Sequence, residues 1–230
     1  MRTLIYIPII HSSADMGSLS KELQNKSISG FGERKWKKHI ETVNGYWEAI
    51  ELYFEKIDLY IKGTNIYQDG MFVDGEMALK IIDEGIKSGS KNSEIVLKLI
   101  ERGATLIKTE DYKMVKNEYD GLKSILKAKS NFKRLFFLLR YKILKPIFLI
   151  RRDRFIAGRI DATLNQNETG ILFIGAYHNI IKRLPEDITV IELKEIAKIR
   201  KYQKALQSDS KMKNLQLEDC LLYTSPSPRD

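Results

Sequence analysis

The sequence predicts a single domain of the α/β class, with a mainly parallel or mixed sheet of about four to six strands and helices packed on it. One observation supports the fold class, and a second supports the single domain. Short apolar runs alternate along the chain with longer segments in which apolar residues recur every three or four positions. The chain has 230 residues, of which 43% are hydrophobic, so it can bury one substantial core. We assign residues 1–220 to this domain.

The first strand is predicted at 3–10, where an apolar run precedes a polar loop that begins at His11. A long helix is predicted from about Gly32 to Ile57, because its apolar residues follow one another at spacings of four and three. That stripe includes both tryptophans, which we expect in the core. His39 follows two lysines at the edge of the stripe, and we expect it at the surface.

The second strand is predicted at 59–62 or at 65–67. Asp74 is expected to cap the next helix, and Asn92 or Ser93 the helix after it. The later segments continue the alternation and are predicted as a strand at 105–108, a helix capped by Thr109, a helical region at 131–164 interrupted at Pro146, strands at 171–174 and 188–191, and a helix at 192–206.

Cysteine content and hydropathy favour a cytoplasmic protein. Cys220 is the single cysteine, which excludes an intramolecular disulfide and a multi-cysteine zinc site. The apolar start of the chain is interpreted as a strand because no small-residue cleavage site follows it. No run approaches the roughly 18 apolar residues of a spanning helix. Residues 221–230 have no periodicity and hold two of the five prolines, and we interpret them as a non-native read-through tail.

Positive charge is concentrated in one part of the chain. The formal net charge is +9, yet residues 121–160 alone hold twelve Lys or Arg and one acid, Asp153. For the segment 129–154 a core helix with solvated cations is favoured, and contact with an anionic membrane surface is the alternative. Nucleic acid is not expected as a partner, because the basic segment is not accompanied by a recognised nucleic-acid motif.

Two of the three histidines stand just past apolar runs that are predicted as buried strands. His11 follows the first run directly, and His178 follows 171–174 after a Gly-Ala-Tyr spacer. Ligands of open α/β sheets bind in the crevice beyond the carboxyl ends of the strands. Imidazole binds metals and exchanges protons near neutral pH. We therefore predict that His11 and His178 share one site.

Carboxylates near these histidines can complete such a site. Asp15 lies four residues after His11, and Asp69 lies in the turn after the predicted second strand. Asp15 with His11 and His178 is predicted to bind a divalent metal ion, which would lower the pKa of a bound water. Asp69 is a candidate general base. The alternative is that Asp69 is only a turn residue and Asp15 only a loop or cap residue.

Two further residues are predicted to bind a ligand near His178. Gly175 lets the backbone leave the strand with a positive φ or approach a ligand closely. Arg154 opens the preceding helix and is a candidate to pair with a site carboxylate or with an anionic group of the substrate. The alternative is that the charges at this helix start are solvated.

A helix that begins Arg152-Asp153 and runs to Ile160 is followed by a strand that ends in G-x-x-H at His178. This combination resembles the C-terminal signature of the TraB and Tiki proteins, which are grouped with the erythromycin esterases and the ChaN-like haem-binding proteins. The resemblance implies an α/β fold, a paired-histidine site and, as in Tiki proteins, metal-dependent peptide cleavage. Pro8 stands where the family has glycine before its first histidine, and Asp69 stands for the family's strand-end acid.

The leading hypothesis from the sequence is a metal-dependent hydrolase of peptide or ester bonds. Its predicted catalytic residues are His11, His178, Asp69, Arg152 and Asp153. The alternative is a non-catalytic regulatory or binding protein on the same fold, which holds a small anionic or haem-like ligand.

Overall fold

The computed structural model describes residues 1–10, 25, 28–29, 32–57 and 61–207. These residues form one sheet of five parallel strands with helices packed around it, which confirms the predicted α/β class. The strands are β1 (Arg2–Ile9), β2 (Asn65–Gln68), β3 (Thr105–Ile107), β4 (Thr169–Gly175) and β5 (Ile188–Glu192). The helices of 32–57 and 61–207 are α1 (Glu33–Lys56), α2 (Gly75–Lys87), α3 (Lys91–Glu101), α4 (Tyr112–Leu126), α5 (Asn131–Thr163) and α6 (Ile196–Gln207). A short 3₁₀ helix at Ile181–Arg183 lies between β4 and β5.

The strand order in the sheet is β3-β2-β4-β1-β5. β1 pairs with β4 over Thr3–Ile9 but with β5 only over Arg2–Tyr6. The backbone N–H of Arg2 points toward β5 and donates to the carbonyl of Asp187. Backbone N–H groups point alternately to the two sides of a strand, so the nitrogen of Pro8, an even number of residues later, also points toward β5. Because β5 has ended before this point, the missing N–H of the proline costs no ladder hydrogen bond. The carbonyl of Pro8 accepts a hydrogen bond from the Tyr46 hydroxyl of α1.

One face of the sheet is covered by α1, α2 and α3, with part of α6. Phe54 of α1 lies near Phe173 of β4, with ring centroids 6.3 Å apart. Trp47 is buried in the same layer, as predicted. Trp36 is only partly buried, so the expectation of a core position is wrong for it. It lies about three turns closer to the start of α1 than Trp47, and its ring contacts that of His39.

The opposite face is covered by the C-terminal third of α5. Ile156 and Ile160 pack there with Leu4 and Tyr6 of β1. Helix α5 is continuous through Pro146, whereas the sequence predicted an interruption at that residue. Helix α4 packs along α5. None of the helices in the described ranges combines the length and apolarity needed to cross a bilayer.

The connections that leave β1 and β4 run to opposite faces. β1 leads through α1 to β2 on one side, and β4 leads through the 3₁₀ helix to β5 on the other. Residues of the second connection pack in the α5 layer. These two strands are neighbours, so the sheet has a topological switch point between them, and a crevice forms beyond their carboxyl ends.

The N-caps of α3 and α4 differ from the sequence prediction. Ser90 caps α3 and accepts from the backbone N–H of Ser93 at 3.2 Å, so the predicted caps Asn92 and Ser93 lie inside the helix. Asp111, rather than Thr109, caps α4 with its carboxylate. The Thr109 hydroxyl instead accepts from a backbone N–H of β2 at 3.1 Å. Neighbouring polar residues compete for each cap, and the sequence alone does not rank them.

His39 is buried between α1 and α6, which contradicts the expected surface position. Its Nδ1 lies 2.7 Å from the Tyr202 hydroxyl, and the two rings stack. Burial lowers the pKa of His39. The lysines before it predicted a solvated position, but residue 39 lies on the side of α1 that α6 covers.

Candidate functional site

Asp69 and Gly175 meet at the carboxyl ends of β2 and β4. The backbone N–H of Asp69 continues the ladder by donating to the carbonyl of Phe173 at 2.8 Å. The Asp69 carboxylate then accepts from the backbone N–H of Gly175 at 2.9 Å. Gly175 is not among the glycines with positive φ, so that explanation for its presence is wrong. Its N–H fixes one oxygen of Asp69 at the edge of the sheet.

His178 is held in place by its own turn and by α5. Its backbone N–H donates to the Gly175 carbonyl at 3.0 Å, which closes the turn after β4. Its Nδ1 lies 2.6 Å from Oδ1 of Asp153, and the other oxygen of Asp153 accepts from the backbone N–H of Asn179 at 3.0 Å. An ionised carboxylate only accepts, so we infer that Nδ1 carries the proton and that Nε2 keeps its lone pair in the neutral ring.

The second ring nitrogen of His178 faces Asp69. Nε2 lies 3.9 Å from Oδ2 of Asp69, and no hydrogen bond to Nε2 is formed by the described residues. Both side chains are buried, at 4% and 9% exposure. The imidazole therefore lies between two carboxylates, one that orients it and one that would stabilise a proton on Nε2.

Arg152 joins three carboxylates beneath this pair. Its Nε donates to Glu110 at 2.8 Å, and its Nη2 donates to Asp69 at 2.6 Å and also to Glu110. Its Nη1 donates to Glu118 of α4. Burial opposes the charge of Arg152, but the surrounding carboxylates outweigh it, and the net effect is a raised pKa. Burial also raises the pKa of Glu110, although Arg152 acts in the opposite direction.

A cleft of about 440 Å³ opens beside His178, and its lining includes Tyr6, Glu192 and Arg200. The hydroxyl of Tyr6 is buried and has no hydrogen-bond partner among the described residues. Burial raises the pKa of this hydroxyl, which keeps it a donor at neutral pH. Arg200 of α6 donates to the carbonyls of Ala176 and His178 at 2.5 and 2.9 Å, and so fixes the turn that carries His178.

Arg154 is not brought into this cluster. Its side chain is exposed, and it borders a separate cavity of about 360 Å³ together with Lys182 and Arg183. It is two residues from Arg152, and residues two apart in a helix point to different sides, so Arg154 lies on another side of α5. A ligand bound by Arg154 would therefore occupy a different cavity from the one beside His178, and its ligand-binding role stays a prediction.

His11 and Asp15 lie outside the described residues, so the predicted pairing of His11 with His178 stays a prediction. Within the described ranges no group of three or more His, Cys, Asp or Glu side chains is arranged to hold a metal ion. His178 and Asp69 could supply two donors, but the guanidinium of Arg152 already binds the same carboxylate. These residues alone do not fit a divalent metal site.

Sequence reasoning missed Glu110, Glu118, Tyr6 and Arg200. The sequence could have indicated Glu110, because it follows β3 as Asp69 follows β2. The carboxyl ends of parallel strands lie at the same edge of the sheet. Tyr6 lies in an apolar strand and gave no signal, since a buried aromatic in such a run is usually a core residue. In comparisons with protein-family models, curated proteins and solved structures, nothing matches this chain.

Proposed function

We propose that the chain is a hydrolase of the TraB and Tiki type, which cleaves a peptide or ester bond in the cleft beside His178. The observation that carries the proposal is the buried His178–Asp153 pair at the switch point of the sheet. One nitrogen of the ring is committed to Asp153, and the other has no hydrogen bond among the described residues. This is the arrangement that general-base catalysis requires of a histidine.

In the proposed reaction His178 acts first as base and then as acid. A water donates a proton to Nε2 while its oxygen forms a bond to the carbonyl carbon of the substrate. The imidazolium is stabilised by Asp153 at Nδ1 and by Asp69, whose Oδ2 lies 3.9 Å from Nε2. The proton then passes from Nε2 to the leaving nitrogen or oxygen as its bond to the carbonyl carbon breaks.

We assign to Tyr6 the stabilisation of the substrate carbonyl oxygen, which becomes negatively charged when water adds to the carbonyl carbon. Its hydroxyl is buried in the wall of the cleft and lacks a partner among the described residues, so a substrate oxygen can accept from it without displacing a hydrogen bond. Donors that are already placed where charge develops contribute strongly to acyl-transfer catalysis. Arg152 acts indirectly, because it holds Asp69 and does not reach the cleft lining.

The predicted divalent ion is a separate hypothesis within this proposal. It depends on His11 and Asp15 together with His178, and a bound ion would supply a water of lowered pKa. Metal analysis of the protein purified without added metal tests it, because the His11→Ala/His178→Ala variant should lose the metal. Unchanged metal content in that variant would refute the hypothesis.

The hydrolase proposal is tested with a panel of chromogenic esters and short peptides. His178→Gln should lower the rate of turnover by about 100-fold or more, which is the typical contribution of a general base. His39→Gln is the matched control, because His39 is also buried and hydrogen-bonded but lies between α1 and α6. Equal activity of the wild type and His178→Gln would contradict the proposal.

Two further variants separate the roles within the site. Asp153→Asn should reduce turnover and change its pH profile, since the amide no longer fixes the tautomer of His178. Tyr6→Phe should lower kcat more than it raises KM, because its hydrogen bond strengthens in the transition state. Failure to hydrolyse any member of the panel, with a small ligand retained in native mass spectrometry, would favour the binding protein instead.

We place the protein in the cytoplasm, in keeping with its single cysteine.

A further inference from the structure

The N-terminal half of α5 presents an apolar stripe to solvent. Seven large apolar side chains recur there every three or four residues, so they share one side of the helix. Each is 43–81% exposed. They are Phe132, Leu135, Phe136, Leu139, Ile143, Ile147 and Ile150. The sequence favoured a core helix in this region, and the exposed stripe shows that this expectation is wrong.

The stripe is long and continuous. Phe132 and Ile150 are 18 residues apart in the chain, which corresponds to about 27 Å of helix at 1.5 Å per residue. The same helix buries Ile156 and Ile160 in the core beyond this segment. Single exposed apolar residues are ordinary on a protein surface, but a contiguous band of this length marks an interaction surface.

Cations border the stripe on both sides. Between 131 and 151 the helix holds six Lys or Arg and no Asp or Glu. At 100° per residue, Lys133, Arg140 and Arg151 follow one border, and Lys142 follows the other. All four are exposed. Long cationic side chains in these positions can reach outward to phosphate while the apolar stripe is inserted between them.

We propose that the stripe of α5, Phe132–Ile150, binds the surface of an anionic lipid bilayer and lies parallel to it. The apolar side chains would enter the boundary between headgroups and acyl chains, and the bordering cations would contact anionic headgroups. A second copy of this chain is a poorer occupant, since two such helices would bring twelve cations together without an acid on either helix segment. The proposal is independent of the hydrolase chemistry, which concerns the opposite end of α5.

The test is sedimentation of the full chain with vesicles at low salt. The protein should pellet with vesicles that contain 30% phosphatidylglycerol and stay in the supernatant with phosphatidylcholine alone. Phe136→Glu/Ile143→Glu should abolish pelleting. The matched control is Leu52→Glu/Met77→Glu, which changes two exposed apolar residues on α1 and α2 and should bind as the wild type does. Circular dichroism checks that both double variants fold.

A second set of variants measures the electrostatic contribution to vesicle binding. Each cation near an anionic surface strengthens binding about fivefold, so Lys133→Gln/Arg140→Gln/Lys142→Gln should weaken partitioning about 100-fold. Salt should weaken wild-type binding in the same direction. Absence of binding to anionic vesicles would overturn the proposal, and so would equal binding to neutral vesicles or normal binding by Phe136→Glu/Ile143→Glu. A dimer in sedimentation equilibrium that this variant dissociates would instead assign the stripe to a second copy.

Discussion

Replacement of Arg152 by methionine should expose the energetic cost of the carboxylate cluster. Arg152 is 9% exposed, and it binds Asp69 and Glu110, which are 9% and 0% exposed. Removal of one partner of a buried ion pair leaves an uncompensated charge and typically costs about 3–5 kcal/mol. For a chain of this length, that loss corresponds to a fall in Tm of about 6–20 °C.

The loss should depend on pH with a sign that the structure fixes. Burial already raises the pKa of Glu110, and the Arg152→Met variant removes the guanidinium that opposes this effect. A carboxyl group whose folded-state pKa is raised contributes its full stability below its unfolded-state pKa, and that stability is lost as the pH rises through the folded-state value. The variant should therefore be less destabilised at pH 5 than at pH 7.5.

Urea denaturation at the two pH values measures both effects. Arg152→Met/Glu110→Gln is the companion variant, because the amide carries no charge and should recover part of the loss at pH 7.5. It also keeps the test informative if the single variant does not fold at that pH. A loss below about 1 kcal/mol at pH 7.5, the range of exposed ion pairs, would refute the reasoning. A loss that is equal at both pH values would refute it as well.

Three further predictions concern the packing of the fold, each measured as the free energy of unfolding. Gly170→Ala should lower the free energy of unfolding by about 1–3 kcal/mol, because the new Cβ would lie 3.0 Å from the Tyr67 ring. Gly158→Ala is the control: its Cβ would meet no atom within 4 Å, so this variant should not destabilise the protein. Below about pH 6.5 the wild type should lose stability by up to about 1.4 kcal/mol per pH unit through His39, whose pKa is lowered by burial; an equally steep loss in His39→Gln would contradict this. Tyr46→Phe should cost about 1–2 kcal/mol, because it leaves the proline carbonyl of β1 without its donor; wild-type stability would show that the hydrogen bond contributes nothing.

Periodicity predicted the scaffold well because it reports burial directly. The spacing of apolar residues in α1 placed its ends within one residue of the observed Glu33 and Lys56. Apolar runs located β1, β4 and β5 for the same reason. Periodicity did not distinguish the two halves of α5, since an apolar stripe looks the same whether it faces a core or solvent. Only tertiary packing shows that Phe136 is exposed and that Ile156 is buried.

The candidate site was predictable where it depends on chain direction. Polar residues that follow parallel strands converge at one edge, and this argument predicted Asp69 and His178. The contacts of Arg152 and Asp153 come from another element, α5, so the helix alone could not specify them; they entered through the resemblance to a family. Tyr6 could not be recognised, because the sequence does not show that its buried hydroxyl lacks a partner among the described residues.

Pro8 has a further consequence for association between chains. Beyond Tyr6, β1 has no partner in β5, so this side of its last residues has no strand neighbour among the described residues. Open edges recruit strands from other molecules through their N–H and C=O groups. Here the proline offers no N–H, and its carbonyl already accepts from Tyr46. At this point of β1 an approaching strand would therefore find neither an N–H donor nor an unoccupied carbonyl.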